Sequence, residues 1–270
     1  MMNNELIFGT GASAAKDYEG LNKVVSCAIS CGIRTFDTAP SYGVEGILAD
    51  VLLKNIQKQN LKREDFCVQT KIDAWQMMDG NIEMFVDKAL QKMNFQYIDN
   101  LLIHWPLPDY FDDTWNKMKK IKETGKVLKI GICNVRSRHL KLYEKQCVSP
   151  DIVQIERNPL RICEREIEFC KQNGIKIQAY SPLCKMDRRL VDCTAIKNIS
   201  KKYNKNIGQV ILRWHLDTGV SPIFTSTKEY RIREYTELFD FSLSKEDVAE
   251  ISALNANYKI YLESCFCPGF

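Results

Sequence analysis

Short apolar runs alternate with amphipathic stripes along almost the whole chain. Leu6-Ile7-Phe8 and residues 33–36 read as brief strands, separated by a helical segment over about 18–31. From Val44, the residues Val44, Ile47, Leu48, Val51 and Leu52 recur at i, i+3, i+4, i+7 and i+8, the stripe of a helix that buries one face. Residues 66–71 form the next strand, and Ile82, Phe85, Val86, Ala89, Leu90 and Met93 the next helix stripe. The run at 100–106 is almost continuously apolar, as a strand buried on both faces must be. The alternation continues through a helix at 115–122 and strands at 129–134 and 152–156, then a helix at about 164–173 and a strand at 175–180. Helices near 192–203 and 207–216 lead to a last strand at 222–226. Strands alternating with helices, without a Pro/Gly/Ser linker or a repeat, predict an α/β fold built as a single domain over 1–270.

Composition and charge narrow the function classes without choosing one. At 270 residues, 45% hydrophobic and 27% charged, the chain is an ordinary globular one that can bury a large core. Its 38 basic and 34 acidic side chains leave +4 with no dominant block, so neither nucleic acid nor a membrane surface is an expected partner. No apolar run approaches the roughly 20 residues of a membrane span, and Met1-Met2-Asn3-Asn4-Glu5 does not start a signal peptide. A cytoplasmic protein is expected. Eleven cysteines at irregular spacing and only three histidines assemble no metal pattern, so free thiols and no metal site are expected.

The candidate chemistry lies where strands stop. Thr35-Phe36-Asp37-Thr38-Ala39-Pro40-Ser41-Tyr42-Gly43 ends a strand on a carboxylate and turns at Pro40 towards a phenol. A phenol titrates at roughly 10, so Tyr42 is a poor proton donor near neutrality unless a cation lies beside it. The next two strands end on Lys71 and His104. A buried lysine needs a counter-ion, and Asp37 is placed to be one. Each residue has a plainer role as well: Asp37 as a turn or helix cap, Lys71 as a solvated rim charge, His104 as a core histidine. Chemistry at the C-terminal ends of successive parallel strands is the habit of β/α barrels. Two other readings compete. Gly9-Thr10-Gly11-Ala12-Ser13-Ala14 after the first strand, with Asp37 downstream, fits a dinucleotide fingerprint of a doubly wound fold. Lys71 could also act as a Schiff-base nucleophile.

Phe36-Asp37-Thr38-Ala39-Pro40-Ser41-Tyr42-Gly43, Thr70-Lys71, Leu102-Ile103-His104-Trp105-Pro106, Gly131-Ile132-Cys133-Asn134, Gln154-Ile155-Glu156 with Asn158-Pro159, Ala179-Tyr180-Ser181-Pro182-Leu183 and Phe239-Asp240-Phe241 follow one another in an order and spacing that resemble the aldo-keto reductases. The resemblance covers nearly the whole chain. It implies a single (β/α)8 TIM barrel and the reduction of an aldehyde or ketone by NADPH. By it, Asp37, Tyr42, Lys71 and His104 are the catalytic residues: Tyr42 the proton donor, Lys71 the cation that acidifies it, Asp37 the partner of Lys71, and His104 a hydrogen bond to the carbonyl oxygen. Thr10, Asp37, Cys133, Asn134, Gln154, Tyr180, Ser181, Leu183, Ser226, Arg231 and Glu234 are the implied cofactor contacts. Tyr42, His104 and Trp105 face the substrate.

Departures from the family pattern qualify that picture. Phe224-Thr225-Ser226 stands where relatives carry Pro-Lys-Ser, so a lysine that usually meets the 2′-phosphate of NADP is missing and NADH becomes possible. Arg231 remains as a bidentate phosphate partner. Tyr235 replaces an asparagine expected at the adenine, and Cys133 a serine. Only Met1 to Glu5 precede the first strand, which leaves the usual N-terminal hairpin truncated, and the loops after His104 and Tyr180 are short. An open mouth is expected, walled by Trp105 with Tyr261 or Phe266, and suited to small carbonyl substrates in a monomer. A non-enzymatic, cofactor-holding barrel that binds a partner protein is the alternative within the family.

Overall fold

The structure, a computed structural model, describes residues 5–11, 14–146 and 148–262. Eight parallel strands close into a barrel in sequence order: β1 (Ile7–Gly9), β2 (Thr35–Asp37), β3 (Cys67–Ile72), β4 (Ile98–Ile103), β5 (Val127–Cys133), β6 (Ile152–Glu156), β7 (Lys176–Tyr180) and β8 (Ser221–Phe224). β8 pairs with β1 through Ile7↔Ile223 and Phe8↔Phe224, which closes the ring. Helices α1 (Tyr18–Ser30), α2 (Glu45–Gln59), α3 (Ala74–Asp79) and α4 (Ile82–Met93) serve the first half. Then come α5 (Pro108–Glu123), α6 (Ser137–Lys145), α7 (Glu164–Gln172), α8 (Arg188–Val191), α9 (Thr194–Tyr203), α10 (Ile207–Asp217), α11 (Glu229–Thr236) and α12 (Lys245–Ser252). A closed parallel barrel in this order is the (β/α)8 architecture, and it overturns the doubly wound alternative: Gly9 and Gly11 belong to a barrel strand and its turn.

The helices bury the faces that their sequence stripes mark. In α4 the buried residues are Ile82, Val86, Leu90 and Met93, and in α2 they include Leu48, Val51 and Leu52. A main core lies between the barrel and its ring of helices, and a second cluster around Trp214, Ile196 and Leu190 holds α8 to α10 together.

The barrel interior is tightly filled. At Gly131 on β5 a Cβ atom would lie 2.4 Å from the Ile152 carbonyl oxygen and 2.4 Å from Leu102 Cδ2, so the neighbouring strands require glycine there. Lower down, Gln69, Gln178 and Asn100 form a buried polar layer: Gln69 Nε2 donates to Gln178 Oε1 at 2.9 Å, Gln178 Nε2 to Gln69 Oε1 at 3.0 Å, and Asn100 Nδ2 to Gln69 Oε1 at 3.3 Å. These amides satisfy one another, as buried polar groups must. They also form the floor on which the charged residues above them rest.

Candidate active site

Asp37 is the last residue of β2, Lys71 the penultimate residue of β3, and His104 follows β4; Tyr42 closes the 3-10 turn Pro40–Tyr42. The register Asp37↔Gln69 and Lys71↔Leu102 brings these ends to one rim. Lys71 is fully buried, and its ammonium donates to Asp37 Oδ1 at 2.8 Å, Asp37 Oδ2 at 2.9 Å, the Thr38 carbonyl at 2.9 Å and Tyr42 Oη at 3.4 Å. Burial alone would drive Lys71 down, but Asp37, with Tyr42 assisting, outweighs it and holds the group above lysine's ordinary value. A lysine held as an ammonium with its donors committed has no lone pair for a Schiff base, which removes that alternative.

Tyr42 responds to the same neighbours in the opposite sense. Burial pushes its phenol up to about 12; Lys71 pulls against that shift and Asp37 adds to it. Lys71 acts in the expected direction, and burial is the larger influence. The ammonium opposes the shift without reversing it, and the phenol keeps its proton throughout the neutral range. Because Tyr42 Oη accepts from Lys71, its own hydrogen is left for a ligand.

His104 is fixed at both ends of its peptide unit: its N–H donates to the Ile72 carbonyl at 2.9 Å, and its carbonyl accepts from Asn134 Nδ2 at 2.8 Å. Its ring meets that of Tyr42 edge to face, with centroids 5.8 Å apart. Nδ1 lies 2.5 Å from Asp73 Oδ1. Asp73 is the residue just after β3; it also accepts from the Ser41 N–H at 2.8 Å and the Ser41 hydroxyl at 3.2 Å, and it caps α3. Burial would raise the Asp73 carboxyl, but His104 and Ser41 outweigh it and keep it below the usual carboxylate value.

These groups open into a cavity of about 980 Å³ that runs from the barrel rim to the start of α11. Of the predicted residues, Asp37, Tyr42, His104, Trp105, Asn134, Gln154, Tyr180, Ser181, Leu183, Ser226 and Arg231 line it. Asn134 takes a left-handed backbone (φ 60°), and its side chain joins two others: Nδ2 to His104 O, and Oδ1 accepting from Tyr180 Oη at 2.6 Å. Gln154 Nε2 is turned to Asp37 Oδ2 at 3.1 Å and Gln178 Oε1 at 3.0 Å. After β7 the backbone is left-handed at Ser181 and again at Cys184, Lys185 and Met186. Glu156, buried at the end of β6, accepts from the N–H groups of Ile260 at 2.8 Å and Tyr261 at 3.0 Å. That seats Tyr261 on the cavity wall, 5.8 Å from the Tyr180 ring and under the Lys185 ammonium.

Other predicted residues lie behind the wall. Thr10 is buried and donates to the Asp37 carbonyl through both its N–H and its hydroxyl. Cys133 is fully buried against Leu102 and Ile152, where burial pushes its thiol up. Glu234 accepts from Asn206 Nδ2 at 3.2 Å. Thr10, Cys133 and Glu234 do not line the cavity, whereas Thr225 does, with its hydroxyl donating to Gly9 O at 2.9 Å. Phe266 lies outside the described residues. Sequence reasoning missed Asp73, the half-exposed Trp75 at the cavity mouth, and Lys16, whose ammonium donates to the carbonyls of Thr10 and Gly11 and lies 5.6 Å from the centre of the Tyr42 ring.

Among the described residues no group of three or more His, Cys, Asp or Glu side chains is arranged to hold a metal, and no helix is long and apolar enough to cross a membrane.

Comparison with known proteins agrees with this geometry. Residues 5–256 match the model of the Aldo/keto reductase family. Glyoxal reductase of Bacillus subtilis is 35% identical over 257 residues, spanning 94% of this chain and 90% of the relative. Methylglyoxal reductase DkgA of Yersinia pestis is 32% identical over 87% of this chain and 84% of its own length. Among solved structures, the Bombyx mori aldo-keto reductase AKR2E4 in complex with NADP superposes with a TM-score of 0.85 at 29% identity, covering 96% of this chain and 92% of that one. With its barrel, its rim of strand-end residues and its relatives in agreement, the chain belongs to the aldo-keto reductase family.

Proposed function

We propose that this NAD(P)H-dependent carbonyl reductase uses Tyr42 as general acid, backed by the Lys71–Asp37 ion pair, with His104 as the second contact at the carbonyl oxygen. The observation that carries the reading is the four-way meeting at Lys71, whose ammonium reaches the Asp37 carboxylate and the Tyr42 oxygen at the edge of the cavity. The donor set fits a nicotinamide dinucleotide. Amides at Asn134 and Gln154 bond to His104 and Asp37, and Tyr180, Ser181, Leu183, Ser226 and Arg231 line the same cavity. The reduced nicotinamide, when bound there, supplies the hydride that adds to the carbonyl carbon.

The protein's own part is to hold and protonate the oxygen. As the carbonyl carbon takes the electron pair, charge gathers on the oxygen, and the Tyr42 hydroxyl delivers its proton to it. The phenolate left behind faces the Lys71 ammonium at 3.4 Å, which stabilises it until solvent returns a proton. A phenol shifted up to about 12 is a reluctant acid, but the nascent alkoxide is a much stronger base, so the transfer runs downhill.

Small aldehydes and ketones, 2-oxoaldehydes among them, are the proposed substrates, in line with the named activities of the Bacillus and Yersinia relatives. Trp105, Trp75 and Tyr261 give the mouth apolar walls. NADPH is the proposed cofactor, held at its 2′-phosphate by Arg231 and more weakly than where a lysine replaces Thr225. A cytoplasmic monomer is proposed on the same basis. The test is a fluorescence titration with NADPH and NADH, followed by oxidation of the tighter one with a panel of aldehydes. Tighter NADPH binding with turnover of methylglyoxal is expected; binding of neither dinucleotide would overturn the reading.

A further inference from the structure

We propose that Asp73 is a positioning residue that locks His104 with its proton on Nδ1, so that the neutral ring presents a lone pair, and only the protonated ring a hydrogen, to the oxygen beside Tyr42. The inference rests on the proposed function for its kinetic part and on geometry alone for its structural part. Asp73 Oδ1 lies 2.5 Å from Nδ1 of His104, and the carboxylate is itself held by the N–H and hydroxyl of Ser41, two hydrogen-bond donors that fix its orientation. A carboxylate accepts and does not donate, so the nitrogen facing it must carry the hydrogen. A half turn of the ring about χ2 would set a carbon in place of Nδ1 against Asp73 and forfeit this contact, while backbone bonds to Ile72 and Asn134 hold the residue in position. Nε2 is then the nitrogen left for a ligand in the cavity that His104 lines.

The consequence depends on charge. A carbonyl oxygen offers only lone pairs, so a neutral His104 presents a lone pair to a lone pair and Tyr42 is its sole donor. Protonation of His104 changes this, and the imidazolium becomes a second donor to the carbonyl. The groups that face His104 are the Lys71 ammonium and Asp37 from β3 and β2, Asp73 from the turn after β3, and the Tyr42 phenol; burial, with Lys71 adding, pulls the imidazole below its ordinary value against Asp73 and Asp37. Tyr42, pushed up to about 12, Lys71, held high, and Asp73, held low, do not change charge between about pH 5 and 8. His104 is the remaining group, and it titrates below its ordinary value.

Two measurements test this. In protein labelled with 15N at histidine, the wild type at neutral pH should show the His104 signal, identified by its loss in His104→Gln, with a protonated Nδ1 and an unprotonated Nε2. In Asp73→Asn, which keeps the helix cap, that pattern should weaken into a mixture of tautomers. Kinetically, wild-type kcat/KM for carbonyl reduction should rise as pH falls through the His104 titration, approaching about tenfold per pH unit. That rise should flatten to within about twofold in Asp73→Asn, where part of the neutral ring carries its hydrogen on Nε2 and donates without being charged. A proton on Nε2 in the wild type, or identical pH profiles in wild type and variant, overturns the proposal. If no carbonyl is reduced at all, the proposed function fails, and the tautomer in the labelled wild type still judges the role of Asp73 by itself.

Discussion

Tyr42 is held between opposed influences, and its behaviour follows from which of them prevails. Burial keeps the phenol protonated, and the Lys71 ammonium waits 3.4 Å away for the charge left when the proton departs. Removing only the hydroxyl in Tyr42→Phe should lower kcat by about 10² to 10⁴, the usual value of a positioned general acid, while NADPH binding by fluorescence is retained. Asp37 has a different kind of importance. It is the carboxylate partner of a fully buried ammonium, and Gln69 and Gln154 donate to it as well. Asp37→Asn leaves that ammonium without a counter-charge, and the expected cost is about 3–5 kcal/mol in a urea unfolding series. At the other end of the cavity, Arg231 is the proposed partner of the 2′-phosphate. A charge-assisted contact is worth about 1.5–3 kcal/mol, so Arg231→Ala should weaken NADPH binding by about 10- to 150-fold and change NADH binding little in parallel titrations.

At the scale of elements, the strands were easier to read than their connections. Strands buried on both faces cannot hide a terminal Asp, Lys or His among polar neighbours, so Asp37, Lys71 and His104 stood out, and the structure brings them together. α6 and α11 bury only Leu140 and Tyr143, and Ile232 and Tyr235, a stripe too thin to show above the charged residues around it. Asp73 sits two places beyond Lys71 and looks like any helix cap. Its contact with His104 exists because β4 lies beside β3, a register that no local pattern contains. Gln154 was expected at the cofactor, yet its amide nitrogen also serves Asp37, a dual engagement visible only once the barrel closes. The turn after β7 was equally opaque, since Cys184, Lys185 and Met186 all adopt left-handed backbone without a glycine. Such a conformation costs a side-chain-bearing residue about 1–2 kcal/mol. Glycine's added chain entropy takes back about 0.5–1 kcal/mol. Lys185→Gly should therefore stabilise the protein by about 0.5–1 kcal/mol, seen as a rise of about 1–4 °C in Tm.

Across the whole molecule, the barrel and the cavity are completed by different stretches of chain. The four reacting residues and the floor beneath them come from β2, β3, β4 and β7 with the turn after β2, and the ring itself closes when β8 docks on β1. One wall comes later still: Glu156 reaches 105 residues along the sequence to take the N–H of Tyr261. Glu156→Ala releases that stretch, so the expected result is a KM about three- to tenfold higher for aldehyde with kcat within about twofold, the signature of lost ground-state binding. Synthesis runs from the N-terminus, so a nascent chain halted after Thr236 already owns every strand, the buried ion pair and the phenol above it. Such a chain already holds the groups of the proposed chemistry, and the segment 253–262 that follows α12 adds the Tyr261 wall against which a substrate would rest. Exchanging that terminal stretch between relatives is accordingly a way to retune selectivity without touching the reacting groups.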